Sequence, residues 1–158
     1  AREYVVSPYQ MAAREGKYYL ICNHDSYDDI ANYRLDRICD LKVLDRAARP
    51  FSSLAGSDER PLELAEYMRR HVYMYAGGDR RARLRIAPFL VSDVVDLFGR
   101  DVAFSDEDDG GATVTVFANE MSVEQFAKSF APHVTVLEPA DLRDRVKGML
   151  ERALEGYQ

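Results

Sequence analysis

Apolar residues in this chain keep a strand-like period of two up to about residue 46, and from residue 61 onward strand and helix periods alternate. That change predicts an α+β chain of two parts. In the first part, Glu3–Ser7, Gln10–Arg14, Lys17–Asn23, Ala31–Leu35 and Asp40–Asp45 read as short strands. Gly16 supplies a turn between the second and third, and the polar run His24 to Asp29 supplies a loop before the fourth. The reading is a small antiparallel β-unit. Arg49–Arg60, with Pro50, Ser52, Ser53, Gly56 and Ser57, has the composition of a linker and marks the boundary.

After the linker, Pro61 occupies the first position of an expected helix, with Leu64, Met68, Val72 and Tyr75 on one face and Gly77-Gly78 as its stop. This helix is expected to bridge the two parts. The order then runs strand Arg81–Pro88, helix Leu90–Phe98, a hairpin around Asp106–Gly111, and strand Ala112–Ala118. A helix opened by Ser122 follows, with Gln125 three residues on, then strand Val134–Leu137. A last helix from Pro139 carries Leu142, Val146, Met149, Leu150 and Ala153 on its apolar stripe. This is a βαββαβ order with a terminal helix, the ferredoxin-like pattern.

The formal charge of −6 argues against indiscriminate nucleic-acid binding by the whole surface. Its distribution is uneven. Residues 1–50 hold eight basic and eight acidic side chains, so the acidic excess lies entirely in residues 51–158. An anion site therefore fits the neutral first part better. Cys22 and Cys39 sit in apolar stretches read as strands, which predicts two buried thiols rather than a disulfide or metal knuckle, and fits a reducing cytoplasm. No stretch is long and apolar enough to predict a membrane span, and no signal-peptide core is visible, so no membrane role is expected.

Two motifs carry most of the remaining information: Lys17-Tyr18-Tyr19-Leu20 on the third strand, and Tyr33-Arg34-Leu35-Asp36-Arg37-Ile38 about a dozen residues later. The second places two guanidiniums and a ring in a short stretch able to meet an anion or nucleotide. With Ser7-Pro8-Tyr9 ahead of them and Val136 to Arg143 (VLEPADLR) near the end, these motifs resemble the WYL-domain family of bacterial transcriptional regulators with its C-terminal WCX extension. The resemblance covers nearly the whole chain. It implies an Sm-like, SH3-like β-barrel over residues 1–50, a linker and bridging helix over 51–78, and a ferredoxin-like WCX domain over 79–158.

The family's first aromatic is usually Trp and here is Tyr18. Its usual order also has one more strand and a winged helix-turn-helix DNA-binding domain ahead, and this chain starts at Ala1 with neither. It is therefore read as a fragment of a longer regulator, its barrel lacking a first strand. What the resemblance further implies is an effector-sensing role. The ligand would be anionic, a nucleotide or single-stranded nucleic acid, with a homodimer as the expected assembly and no cofactor.

The candidate ligand-binding residues are Arg34, Arg37, Tyr19, Tyr33, Ser7, Tyr9 and His24. Arg34 and Arg37 lie three apart, so they address one pocket only if the chain turns between them. The plain alternative is that Arg34 is a surface residue and Arg37 pairs with Asp36 or Asp40. Tyr18 and Tyr19 are strand neighbours, so one ring should face the core and the other outward, where it can stack a base. Ser7, Tyr9 and His24 lie near strand ends, and each alone also suits a structural role. Arg81, Arg83 and Arg85 alternate with Ala82, Leu84 and Ile86 and should share one strand face, as a solvated surface or as a basic lip for a nucleic acid.

Catalysis finds no support. Asp106-Glu107-Asp108-Asp109-Gly110-Gly111 resembles the start of a calcium loop but lacks the required oxygen ligands at its fifth and twelfth positions, Gly110 and Phe117, and reads as a turn. Gly77-Gly78-Asp79 reads as a helix stop. The three histidines show no metal-binding spacing, and no nucleophile stands beside a base and an orienting group. Two readings remain: a ligand-sensing module of a transcription factor, and a purely structural dimerisation module without a small ligand.

Overall fold

The computed structural model describes residues 2–54, 57, 61–100, 102–106 and 111–158. It is a mixed α+β chain with two antiparallel sheets and four helices among those residues. Two compact units emerge, one from residues 1–68 and 74–78, the other from 69–73 and 79–158.

In the first unit β1 (Val6–Arg14), β2 (Lys17–His24) and β3 (Ile30–Arg34) form a three-stranded sheet in the order β1-β2-β3. The expected first two strands are one strand, interrupted by a register shift between Pro8 and Gln10. A two-residue turn joins β1 to β2, with Glu15 at φ 49° and Gly16 at φ 72°. Two positive φ angles define the hairpin turn whose twist matches the strands, and Gly16 adopts its angle without strain. One sheet face packs under α1 (Leu64–Arg70), burying Ala12, Ile21, Tyr67 and Met74 with Tyr19, Ile30, Leu64 and Met68 around them. Polar bonds fix this contact: Tyr67 donates to Asn32 Oδ1 at 2.9 Å, and Arg14 donates to the Met68 carbonyl at 2.7 Å.

Three expectations fail here. Asp40–Asp45 is no strand. After β3 the chain makes a 3-10 turn over Leu35–Arg37 and runs on without a ladder partner among the described residues, leaving Leu41, Val43 and Leu44 exposed. Alternation alone cannot make a strand where no neighbouring edge is offered. Cys39, on this segment, is exposed rather than buried. The helix expected to run to Gly77-Gly78 ends at Arg70, because Val72 joins the core of the second unit and Met74, at φ 56°, that of the first. Gly77-Gly78 is therefore not its stop. Within the expected linker a 3-10 turn forms at Phe51–Ser53, while Ala55, Gly56 and Asp58 to Arg60 lie outside the described residues.

The second unit strings together β4 (Asp79–Ile86), α2 (Val91–Phe98), β5 (Ala103–Asp106), β6 (Ala112–Asn119), α3 (Glu120–Ser129), β7 (Val134–Glu138) and α4 (Ala140–Glu155). Its sheet order is β5-β6-β4-β7, antiparallel throughout. The expected hairpin is seen as the β5–β6 pairing; its turn, Glu107 to Gly110, lies outside the described residues. Ala82, Leu84 and Ile86 of β4 and Val114 and Val116 of β6 meet Val94, Phe98, Val123, Phe126, Leu142 and Val146 of the helices in one core. Arg81, Arg83 and Arg85 point to the other face and are exposed, as the alternation predicts. At the sheet end, Arg80 donates to Glu120 at 2.9 Å and to Asp141 at 2.6 and 2.8 Å, tying the first turns of α3 and α4 to β4. Carboxylates there also complement the helix dipoles.

The start of α3 corrects the sequence reading. Ser122 does not open it: Asn119 caps the helix, its Oδ1 accepting from the Ser122 backbone N–H at 3.1 Å and the Ser122 hydroxyl at 3.2 Å. Gln125 bonds Ser129 instead of the cap. Because Asn119 is only 1% exposed, its loss strands two buried donors. Asn119→Ala should lower unfolding free energy by about 1–2 kcal/mol in urea titrations, the range for a lost cap. Ser122→Ala, which keeps the backbone bond, should cost less; equal effects would mean that the cap contributes nothing.

Candidate functional site

The period of two in β2 and β3 splits the candidate residues between two faces. Tyr19, Ile21 and Asn23 share one face with their register partners Arg34, Asn32 and Ile30; Leu20, Cys22 and His24 share the other with Tyr33 and Ala31. Arg34 and Tyr33 therefore cannot line one surface of the sheet. Tyr19 packs toward the core under α1, and Tyr18, more than half exposed, is the outward ring.

The first cluster is the turn that follows β3. Arg34 Nε and Nη2 donate to the two carboxylate oxygens of Asp36 at 3.0 and 2.6 Å, a fork-to-carboxylate pair. The chain bends here through the 3-10 turn Leu35–Arg37, and the charge of Arg37 also acts on Asp36. The hydrogen bond from Arg34, and then the nearby charges of Arg34 and Arg37, hold the Asp36 carboxyl below its usual range. The same bond raises the Arg34 guanidinium. Arg34 is thus the partner of Asp36, whereas the plain alternative paired Arg37 with Asp36 or Asp40. Arg37 makes no side-chain hydrogen bond or ion pair among the described residues. The Arg34 side chain is 24% exposed and that of Asp36 60%, so the pair lies open to solvent.

On the opposite face Tyr33 stacks on Tyr4 with centroids 5.7 Å apart, and Tyr4 meets His24 edge-on at 5.5 Å. His24 in turn lies 5.2 Å from Tyr27 and accepts from the Ser26 backbone N–H through Nδ1. Tyr33, His24 and Tyr27 line an open depression with Asp29, Ile30 and Ala31. Burial first, then the neighbouring Cys22, Tyr4 and Tyr27, push the Tyr33 phenol upward. Tyr4, inside the expected strand Glu3–Ser7 although β1 begins only at Val6, and Tyr27, in the loop before β3, were not singled out in the sequence.

Ser7 and Tyr9 belong to a third neighbourhood. The buried Ser7 hydroxyl accepts from the Arg49 backbone N–H at 2.8 Å, and Tyr9 meets Phe51 edge-on at 5.5 Å. Burial raises the Tyr9 phenol, against the lowering charge of Arg49. The Arg49 guanidinium donates to Asp28 Oδ1 at 2.7 Å, to the Tyr27 carbonyl at 3.3 Å and to the Ser53 carbonyl at 3.2 Å. It pins the loop before β3 to the Phe51–Ser53 turn. Arg46 pairs with Asp25 nearby. Arg49 reads in sequence as the first residue of a linker, so its role was invisible there.

Arg81, Arg83 and Arg85 stand on the second unit. Arg83 donates to Glu138 at 3.0 Å, both side chains being well exposed.

Comparison with known proteins gives this arrangement a family. Residues 1–43 match the WYL domain and residues 78–154 the WCX domain. The chain belongs to the WYL-domain family of regulators, with WYL and WCX domains in that order. Among solved structures it is similar to proteasome accessory factor B/C (PafBC) of Arthrobacter aurescens, at 21% identity and a TM-score of 0.47, over 99% of this chain and 23% of that one. It is also similar to a protein described as CRISPR Cas-related, at 11% identity and a TM-score of 0.54, over 99% of this chain and 44% of that one. The chain therefore spans less than half the length of either. No curated sequence matches it closely enough to count as a relative. No helix among the described residues is long and apolar enough to cross a membrane.

Between the faces, Cys22 is fully buried, and burial pushes its thiol up to about 12, whereas Cys39 is exposed. The thiolate is the reactive species. Titration with a disulfide reagent at mildly alkaline pH should therefore label Cys39 quickly and Cys22 only once the chain is unfolded. Rapid labelling of both in the folded protein would contradict the burial of β2.

Proposed function

We propose that this chain is the effector-sensing part of a bacterial DNA-binding transcriptional regulator, and that the turn bearing Arg34 and Arg37 binds an anionic, phosphate-bearing ligand. The observation that carries this reading is the open Arg34–Asp36 pair with Arg37 beside it. A guanidinium already held in fork geometry by an exposed carboxylate is organised for a phosphate, which offers the same pair of oxygens and more charge. WYL and WCX domains support a regulatory rather than a catalytic role. We read the first unit as an Sm-like barrel over residues 1–50, the stretch 51–78 as linker and bridging helix, and 79–158 as a ferredoxin-like WCX domain. A cytoplasmic setting and an N-terminal winged helix-turn-helix partner belong to the same proposal.

One observation favours assembly as a second reading. Leu41 and Val43, 68% and 87% exposed, lie on the segment after the turn, which joins no ladder among the described residues. Such a segment is a template for another strand, including one from a second copy. Sedimentation that shows a dimer lost on Val43→Lys would support this reading without a ligand.

The ligand reading is tested by titrating mononucleotides at several salt concentrations. Affinity should fall as salt rises, because arginine–phosphate contacts release counterions. Arg34→Ala should weaken binding roughly tenfold to a hundredfold, and Arg34→Lys should restore only part. Asp36→Asn, which removes the internal competitor, should tighten it. If Arg34→Ala and Arg37→Ala both bind like the parent at low salt, the sensing site lies elsewhere.

A further inference from the structure

The open depression beside β3 is a feature of the first unit that the Arg34–Arg37 turn does not use. Its volume is about 360 Å³, and its lining comes from the loop before β3, from β3 itself and from the later stretch Ala76-Gly77. Sites for small ligands run from about 300 to 1,000 Å³, so the depression suits one compact molecule. No Lys or Arg lines it. Strand alternation turns Arg34 to the sheet face opposite Tyr33.

Three rings line the depression, those of His24, Tyr27 and Tyr33, and a fourth braces them. Tyr4 stacks on Tyr33 and meets His24 edge-on, and His24 lies against Tyr27. His24 is also held through Nδ1, which accepts from the Ser26 backbone N–H at 3.1 Å. Yet Tyr4 and Tyr27 are 51% and 64% exposed. A connected group of large rings left half in water is not explained by core packing.

The charges around these rings select the ligand. Of the three aspartates in the loop, Asp25 is paired with Arg46 and Asp28 with Arg49. Asp29, the one that lines the depression, has no ion-pair partner among the described residues. An unpaired carboxylate repels phosphates and carboxylates, and the negative faces of aromatic rings attract cations. Ile30 and Ala31 add apolar lining, which a strongly hydrated cation cannot use. A neutral apolar molecule would leave Asp29 without a role. An alkylated ammonium ion meets all three features, since its charge is spread over apolar groups that need no hydrogen bonds.

We propose that the depression lined by His24, Tyr27 and Tyr33, with Asp29 as counter-charge, binds an alkylated ammonium ion. It is a second ligand site, opposite in charge preference to the Arg34–Arg37 turn, and does not rest on the reading of that turn.

The test is calorimetric and NMR titration of the full chain with choline, set against its uncharged isostere in which carbon replaces the quaternary nitrogen. The isostere should bind about tenfold more weakly, the difference a partly desolvated cation–π contact makes. Tyr27→Leu should weaken choline binding about threefold to tenfold, whereas Tyr27→Phe should retain it, because the ring and not the hydroxyl carries the contact. Asp29→Asn should cost about twofold to fivefold, the range for an exposed charge pair. Both positions are exposed, so these variants should fold like the parent, which thermal melts check. Arg34→Ala should leave choline binding unchanged. Choline should move the amide resonances of Tyr27, Ala31 and Gly77.

Equal affinity for choline and the isostere would overturn the proposal, because the depression would then be merely apolar. So would unchanged choline affinity in both Tyr27→Leu and Asp29→Asn, or resonance shifts confined to other parts of the chain. Displacement of choline by a mononucleotide in the Arg34→Ala variant would show that the depression takes anions, and absence of choline binding by the parent would likewise overturn it. None of these results decides the Arg34–Arg37 reading, which stands or falls on the mononucleotide titration of the parent.

Discussion

The register of β4 is the constraint on which the second unit depends. β4 is hydrogen-bonded on both sides, to β6 and to β7, so its pairing decides which of its side chains meet the helices. Ala82, Leu84 and Ile86 go inward and the three arginines outward. A slip of one residue would place three guanidiniums under α2, α3 and α4 and put the apolar residues in water. Each buried charge without a partner would cost several kcal/mol, a sizeable part of a domain's whole stability. The same selection that makes the core therefore makes the basic column, and no separate device is needed to hold those arginines in a row.

In the first unit the corresponding constraint is the turn after β3. Ending the strand at Arg34 and entering a 3-10 turn at once gathers Arg34, Asp36 and Arg37 at one exposed corner. Had the strand continued, Arg37 would face away from Arg34. Behind this corner, Tyr67 of α1 donates to Asn32 Oδ1 on β3, and Tyr19 packs over the buried cluster, so β3 is held in place where the turn departs. The acidic loop before β3 is held by Arg46 and Arg49. Three local pairs, Arg34–Asp36, Arg46–Asp25 and Arg49–Asp28, thus carry part of the charge balance of this half.

Where a period, a turn residue or a motif carried the signal, the structure was legible in the sequence. Gly16 announced the hairpin, the β4 alternation announced both faces of the sheet, and Pro139 stands at the cap of α4 as expected. Structure decided by a distant neighbour was not legible. Asp40–Asp45 alternates well and finds no edge to join; Val72 keeps a helical spacing from Met68 and leaves the helix for another core. The cap of α3 was misplaced because Asn119 also ends β6, and a residue serving two elements looks like neither. Among the candidate residues, strand alternation alone puts Tyr33 on the sheet face opposite Arg34, a separation that their shared motif hid.

The pairing of Arg34 with Asp36 also bears on which ligands the corner can accept. An exposed arginine–carboxylate pair contributes little to stability, since water and salt compete with it, so exchanging the carboxylate for another anion costs little. The fork geometry persists through the exchange, because Asp36 has already ordered the guanidinium and a planar donor pair fits carboxylate and phosphate alike. A ligand carboxylate gains almost nothing by replacing one of the same charge and shape. On the proposed reading, a phosphate gains from its extra charge and from further oxygens that Arg37, whose charge acts on Asp36, can meet. Under the proposed reading, Asp36 is therefore the internal competitor that a phosphate-bearing ligand has to displace.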